Sequence, residues 1–209
     1  SGLYLSPEGG KMSTREGKTV FMEDVLDDAI SLARNTIEEK NPSLHDKEKI
    51  ARDVAIGALF FGDLMNDSAK DVVFDLKRML SFEGDTGPYL MYSHARAASI
   101  VRKAREDGVN VVSGVDFNVL KEPVESRVIK LIALFKERVA QARVQHKPHI
   151  LAQFLLEFGR TFNEFYHSCP CLQEKDAKVK LARLTLIEAS RQVIENGLRL
   201  LGIVAPFEM

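Results

Sequence analysis

The first group of residues whose types and spacing suggest chemistry is a short loop, residues 11–17, with the sequence KMSTREG. It places two cations, Lys11 and Arg15, and two hydroxyls, Ser13 and Thr14, between glycines on either side. Because glycine tolerates large backbone changes, the loop can bring its cations onto a phosphate group once a ligand is in place. The alternative is a solvated basic loop without a ligand. Residues 11–17 are therefore a candidate phosphate-binding loop.

A second candidate group lies on one face of a helix predicted to start at Pro88 and to run to Arg105. Side chains spaced by three and four residues combine two aromatic rings with two cations on this face: Tyr89, Tyr92, Arg96, Ser99 and Lys103. Such a face suits an anionic partner that carries bases. The alternative is an ordinary amphipathic helix whose cations extend into solvent.

The opposite face of the same helix is apolar and is predicted to be core. Its members recur at steps of four and three: Leu90, His94, Ala97, Val101 and Ala104. The small alanines would let a neighbouring helix approach closely. We expect His94 to be a buried, hydrogen-bonded histidine rather than a catalytic one.

A third candidate group lies near the end of a later helix, in the sequence FNEFY. Asn163 and Tyr166 are three residues apart and share a helix face, where an amide and a ring could read a single-stranded base. Phe165 is better explained as core, whereas Tyr166 is equally compatible with core and with a base platform. A basic group further along is interpreted as a solvated face with some phosphate contact: Lys175, Lys178, Lys180 and Arg183.

The composition is that of an ordinary globular protein. The 209 residues are 45% hydrophobic and 28% charged, which argues against disorder, and the formal net charge of −1 gives no global sign of nucleic-acid binding. Any RNA affinity must therefore come from local clusters of Lys and Arg. No apolar run approaches the roughly 20 residues of a membrane span, and we expect no charged-then-apolar leader. These features predict a soluble, cytoplasmic protein without a membrane partner.

The two cysteines, Cys169 and Cys171, are separated by one proline. This spacing suits neither a disulfide framework nor a four-ligand zinc site, and the adjacent His167 cannot complete one. We therefore predict structural or incidental thiols, a reducing environment and no metal site.

Helical periodicity dominates the chain after residue 21, so the predicted fold class is all-α. Helices are expected over 22–40, 46–65 and 88–105, then from Pro123, through 151–166, and over 176–201, the last a central bundle member. Short strands are expected at 3–5 and 19–21, and residues 72–74 fit a short strand and a buried turn equally well. The expected organisation is a loop segment over 1–21, a helical connecting domain over 22–106, a linker over 107–114 and a helical bundle over 115–209.

Three of these segments together resemble one family. KMSTREG resembles the KMSKS signature of class I aminoacyl-tRNA synthetases, in the form seen in arginyl-tRNA synthetases. Residues 85–96, DTGPYLMYSHAR, are similar to the family's segment after that loop. Residues 197–203, GLRLLGI, followed by Ala205, Pro206 and Met209, resemble its C-terminal ending. The resemblance covers nearly the whole chain in the family's order.

The resemblance implies that arginine and ATP, with Mg²⁺, form an aminoacyl-adenylate, and that the arginyl group then passes to the terminal adenosine of tRNA(Arg). It implies catalytic roles for Lys11, Ser13 and Arg15, and contacts of Lys11, Met12 and Ser13 with the ATP phosphates. Thr14 stands where the common pattern has its second lysine, and Arg15 is the candidate substitute.

The resemblance also implies an anticodon-binding helical bundle at the C-terminal end. Residues 180–183, KLAR, occupy the place of the family's Asp-Ala-Leu-Arg signature and match it at Ala182 and Arg183. The expected tRNA-binding set joins this bundle to the earlier helix: Tyr89, Tyr92, Arg96, Lys103, Asn163, Tyr166, Arg183 and Met209.

The other class I motif, His-x-Gly-His, is absent from the sequence, and so is a series of strands with phosphate-binding turns. The chain is thus expected to be a C-terminal part of such an enzyme, to be monomeric, and by itself to bind no cofactor and to lack aminoacylation activity. The alternative function is a stand-alone tRNA-binding or adaptor bundle.

Overall fold

Seven α-helices and one pair of two-residue strands form the parts of the chain that the structure, a computed structural model, describes: residues 3–5, 21–110 and 114–209. The candidate loop at 11–17 lies outside these ranges. The helices are α1 (Met22–Lys40), α2 (Lys47–Leu64), α3 (Leu76–Met79), α4 (Gly87–Glu106), α5 (Pro123–Gln145), α6 (Pro148–Ser168) and α7 (Ala177–Leu200). A short 3-10 helix, Phe117–Val119, precedes α5. The all-α prediction is confirmed.

The two strands are short and parallel. Strand β1 (Tyr4–Leu5) pairs with β2 (Val72–Val73), which confirms the strand expected at 3–5 and favours the strand over the buried turn at 72–74. Of the strand expected at 19–21, residues 19 and 20 lie outside the described ranges, and Phe21 is not in a strand but is the N-cap of α1.

The starts of the long helices follow from local chemistry. Thr86 caps α4, because its hydroxyl accepts a hydrogen bond from the backbone N–H of Tyr89 at 3.1 Å. Glu122 and Glu125 cap α5 reciprocally around Pro123. The carboxylate of Asp176 accepts hydrogen bonds from two N–H groups in the first turn of α7.

Helix α4 lies so close to α2 that only glycine fits at the contact, and it also packs closely on α6. A Cβ on Gly87 would lie 2.5 Å from the carbonyl oxygen of Gly57 and 2.8 Å from the Cβ of Phe61, both on α2. A Cβ on Gly159 of α6 would lie 2.7 Å from a methyl group of Leu90. The predicted core face of α4 is confirmed, since all five of its members are buried: Leu90, His94, Ala97, Val101 and Ala104.

The remaining helices complete one hydrophobic core that extends from α1 to α7. Helix α1 packs on α2 and α5 packs on α6, each pair joined by a short connection. Helix α7 contacts α4, α5 and α6, as expected for a central bundle member. Within the described ranges, no helix is both long and apolar enough to cross a membrane.

Both cysteines lie in this core. Cys169 and Cys171 are buried and free. Burial raises the pKa of both thiols, that of Cys171 to about 12. The thiols therefore stay protonated at neutral pH and pack as small apolar groups.

Candidate nucleic-acid interface

A cleft of about 760 Å³ opens between α4, the C-terminal end of α6 and the last residues of the chain. Its lining comes from four separate parts of the sequence: Asn41, Tyr92, Ala95, Arg96, Ser99, Ile100, Arg102, Lys103, Tyr166, His167, Pro170, Cys171, Leu172, Gln173, Phe207, Glu208 and Met209. Its wall combines exposed cations with two tyrosine rings, the side-chain types that bind single-stranded nucleic acid through phosphates and base faces.

Arg96 occupies a fixed place in this wall. Its guanidinium carbon lies 4.8 Å from the centroid of the Tyr92 ring and 4.8 Å from the centroid of the Tyr166 ring. The cation therefore makes cation–π contacts with one aromatic residue of α4 and one of α6. Tyr92 is further held by an edge contact with Phe82, whose ring centroid is 6.2 Å away.

The C-terminal segment, residues 206–209, forms the opposite wall and is held by hydrogen bonds and an ion pair. The Nδ1 of His94 is 2.8 Å from the carbonyl oxygen of Pro206. Arg102 forms an ion pair with Glu208 at 2.6 Å, and the amide of Asn41 donates to the carbonyl oxygen of Met209 at 3.1 Å. The segment is thus tied both to α4 and to the end of α1.

The partners of His94 indicate its protonation state. The Nε2 of its buried ring lies 3.3 Å from a guanidinium nitrogen of Arg191, which can only donate, so Nε2 accepts and Nδ1–H donates to Pro206. Burial lowers the pKa of His94, and the neighbouring charge of Arg191 lowers it further, against the hydrogen bond to Pro206 and the charges of Glu195 and Glu188. The prediction of a buried, hydrogen-bonded histidine is confirmed.

The cleft brings together five of the eight expected tRNA-binding residues: Tyr92, Arg96, Lys103, Tyr166 and Met209. Tyr89 and Asn163 lie beneath it, between α4 and α6, where the amide of Asn163 donates to the hydroxyl of Tyr89 at 2.9 Å. Phe165 is fully buried, which confirms its assignment to the core. That these residues bind tRNA stays a prediction.

Arg183 lies away from the cleft, and the expectation that it belongs to a solvated face is wrong. Its side chain is buried and forms an ion pair with the fully buried Glu125 at 2.7 Å and another with Glu174 at 2.8 Å. Burial opposes its charge, but the hydrogen bond and charge of Glu125 outweigh burial and raise the pKa of Arg183. Periodicity could not reveal this, because the compensating carboxylate belongs to α5, 58 residues earlier.

Sequence reasoning missed the lining residues Asn41 and Phe207 as contributors to a site. The side chain of Asn41 follows α1 and meets the C-terminal segment only through the tertiary fold. Phe207 lies with its ring centroid 5.3 Å from His94 and 5.5 Å from the guanidinium carbon of Arg191. The only sequence signal for this wall was the resemblance of the C-terminal ending.

Comparison with known proteins identifies the family. Residues 90–209 match the model of the DALR anticodon binding domain. The chain belongs to the DALR anticodon-binding domain family. Residues 1–76 match a second model, the catalytic domain of class I tRNA synthetases (R), so the chain holds parts of both units.

Relatives of this DALR-family chain include arginine--tRNA ligases. The enzyme of Clostridioides difficile is 40% identical over 202 residues, which cover 97% of this chain and 35% of that protein. That of Clostridium perfringens is 43% identical over 193 residues, or 92% of this chain and 34% of that protein. The arginyl-tRNA synthetase structure of Thermus thermophilus matches 99% of this chain and 34% of its own, with a TM-score of 0.88 and 37% identity. The chain thus spans about a third of the length of these relatives.

The buried ion pair between Arg183 and Glu125 leads to a first prediction, about stability. Replacing Arg183 by Met leaves the carboxylate of Glu125 buried without its guanidinium, and we expect the free energy of unfolding to fall by about 3–5 kcal/mol. The matched control is Lys178→Ala, an exposed cation on the same helix, for which we expect a change within about 0.5 kcal/mol. Urea titrations measure both values. Equal, small effects would show that Arg183 is solvated after all.

The lowered pKa of His94 leads to a second prediction, about how the free energy of unfolding depends on pH. Because its pKa is lower in the folded protein, the unfolded state binds more protons between that pKa and the ordinary value of about 6.5. The free energy of unfolding should therefore fall as pH drops below about 6.5, with a contribution of at most about 1.4 kcal/mol per pH unit. His94→Asn removes this contribution, whereas His45→Asn, at an exposed position, should keep it. Denaturant titrations at a series of pH values measure the free energy of unfolding of each variant. An unchanged pH dependence in His94→Asn would contradict the prediction.

Proposed function

We propose that this chain forms the C-terminal part of an arginine--tRNA ligase and binds tRNA(Arg) through the cleft between α4, α6 and the C-terminal segment. The single observation that carries the proposal is the cleft itself, where Arg96 contacts the rings of Tyr92 and Tyr166 within the match to the anticodon-binding family. The names of the relatives support arginine as the amino acid.

The chemistry of the cleft suits a single-stranded loop. Each nucleotide offers a flat base face and an anionic phosphate, and the cleft offers exposed Lys103 for the phosphate and the rings of Tyr92 and Tyr166 for stacking. The overall charge of −1 provides little long-range attraction. Binding should therefore depend on these local contacts more than on a general basic field.

We further propose a role in arginine activation, which the match of residues 1–76 to a catalytic domain supports. Lys11, Ser13 and Arg15 would contact the phosphates of ATP, with Met12 in the same loop, and stabilise the charge that develops as pyrophosphate leaves. In the complete enzyme the substrates would be arginine, ATP with Mg²⁺ and tRNA(Arg). We propose that the protein acts as a monomer in the cytoplasm.

The alternative, a stand-alone tRNA-binding or adaptor bundle, is less well supported. An adaptor would need the cleft but not the loop at 11–17, and the match of residues 1–76 to a catalytic domain favours the enzyme.

The test of tRNA recognition is a mobility-shift titration of the chain with tRNA(Arg) and with a non-cognate tRNA over a series of salt concentrations. We expect a preference for tRNA(Arg) that survives moderate salt, because stacking and base contacts depend less on salt than phosphate contacts do. Weak binding that ignores tRNA identity and disappears with salt would overturn the proposal for the cleft.

Substitutions of Tyr166 test whether its ring contributes to tRNA(Arg) binding. Replacing Tyr166 by Ala removes a stacking ring from the cleft and should weaken tRNA(Arg) binding by about 1–3 kcal/mol, whereas Tyr166→Phe should retain most of the affinity. The control is Phe117→Ala, an exposed ring outside the cleft, which should leave affinity unchanged. If Tyr166→Ala lowers thermal stability as much as it lowers affinity, Tyr166 is a core residue instead.

A substitution of Lys11 in the complete enzyme tests the proposed role of the loop in arginine activation. Lys11→Ala should slow arginine-dependent pyrophosphate exchange by about 100-fold or more, because a contact to the developing phosphate charge is lost. Affinity for tRNA(Arg) should stay nearly intact. Lys18→Ala, a cation just after the loop, serves as the control. An unchanged exchange rate for Lys11→Ala would remove Lys11 from catalysis.

A further inference from the structure

The amide of Asn163 lies beneath the cleft and is almost fully enclosed, with 8% of its surface exposed. Its nitrogen, which carries two N–H groups, lies within hydrogen-bond distance of three acceptors: the hydroxyl of Ser93 at 2.8 Å, the hydroxyl of Tyr89 at 2.9 Å and the carbonyl oxygen of Gly159 at 2.9 Å. The carbonyl of Gly159 can only accept, so this network determines which end of the amide carries the nitrogen. The amide oxygen must therefore face the other way.

The group that the amide oxygen faces is Arg96. Its Nη1 donates to the Oδ1 of Asn163. The cation–π contacts with Tyr92 and Tyr166 hold the guanidinium near the two rings but do not determine the direction of its N–H groups. The hydrogen bond from Asn163 supplies the restraint that these contacts lack, so the direction of the other N–H groups is set.

No carboxylate within the described ranges forms an ion pair with Arg96. Other arginines at comparable depth have acidic partners, such as Arg183 with Glu125 and Arg191 with Glu188. Among the residues that the structure describes, Arg96 has only the neutral amide of Asn163 and two aromatic rings as partners. A guanidinium has five N–H donors, so most remain available to an anion or acceptor in the cleft.

We propose that Asn163 is a positioning residue, which does not touch RNA but fixes Arg96 so that its unused donors bind an acceptor on a loop nucleotide. This proposal rests on the proposed function of the cleft. An arginine fixed before binding has already lost the rotamer freedom that a flexible one would lose on binding, so affinity rises without any new contact.

A double-mutant cycle tests the proposal. The affinity of the chain for a fluorescent anticodon stem–loop of tRNA(Arg) is measured for wild type, Asn163→Ala, Arg96→Met and the double variant. We expect Asn163→Ala to weaken binding about tenfold when Arg96 is present and to have no further effect when Arg96 is Met. The same loss in both backgrounds would mean that Asn163 contacts RNA directly or only stabilises the fold, and would overturn the proposal.

A second measurement needs no RNA. In NMR spectra of the free chain, the guanidinium of Arg96 should give resolved, slowly rotating Nη signals in wild type and averaged signals in Asn163→Ala. The matched control is Ser190→Ala, which removes a buried hydroxyl on α7 bonded only to its own helix, and we expect the Arg96 signals to be unchanged. An Arg96 that stays ordered in Asn163→Ala would overturn the positioning role.

Salt dependence identifies the acceptor. If Arg96 binds a phosphate, Arg96→Met should reduce the slope of log affinity against log salt by about 0.7, whereas a contact to a base edge leaves that slope unchanged and depends on the base. Either result agrees with the proposal. Failure of the wild-type chain to bind the stem–loop overturns the proposed function together with this inference, whereas normal binding by Asn163→Ala overturns the inference alone.

Discussion

The close approach of α4 to α2 and α6 is the constraint on which the candidate interface depends. Gly57 and Gly87 let α2 and α4 touch through their backbones, and Gly159 admits Leu90 against α6. Because the buried face of α4 is fully packed, the helix cannot rotate about its axis without overpacking the core. Its second face must then point to the end of α6, where Tyr92 and Arg96 meet Tyr166.

Buried polar side chains determine the arrangement around this apolar frame. His94 joins α4 to the C-terminal segment and to α7, Asn163 joins α6 to α4, and Arg183 joins α7 to α5. Each is nearly enclosed and each has hydrogen-bond partners on another element, so an alternative packing would leave a buried donor or acceptor unsatisfied. A polar network of this kind favours one arrangement of the helices over others of similar apolar burial.

The same networks separate structural cations from cations that can bind a ligand. Arg183 and Arg191 have their charges balanced by glutamates within the fold. Arg96 is held by uncharged groups and lines an open cleft with Lys103. Sequence alone could not distinguish these two kinds of arginine, because helical periodicity does not show whether a carboxylate on another element lies beside the guanidinium. This difference, rather than the overall charge, is the physical basis for the proposal that the cleft binds RNA.

The sequence by itself determined the six long helices and the family, whereas the four-residue helix α3 was not predicted. Proline and capping residues mark the starts of α4, α5 and α7, and the 3.6-residue period of apolar side chains marks the core face of α4, since both depend on neighbours within a few residues. Only the tertiary structure decided which polar residues are buried and which meet in the cleft. The contacts that bury Arg183 and that bring Asn41 to Met209 join residues 58 and 168 positions apart. Local periodicity carries no information on such pairs, because they form only when distant helices pack together.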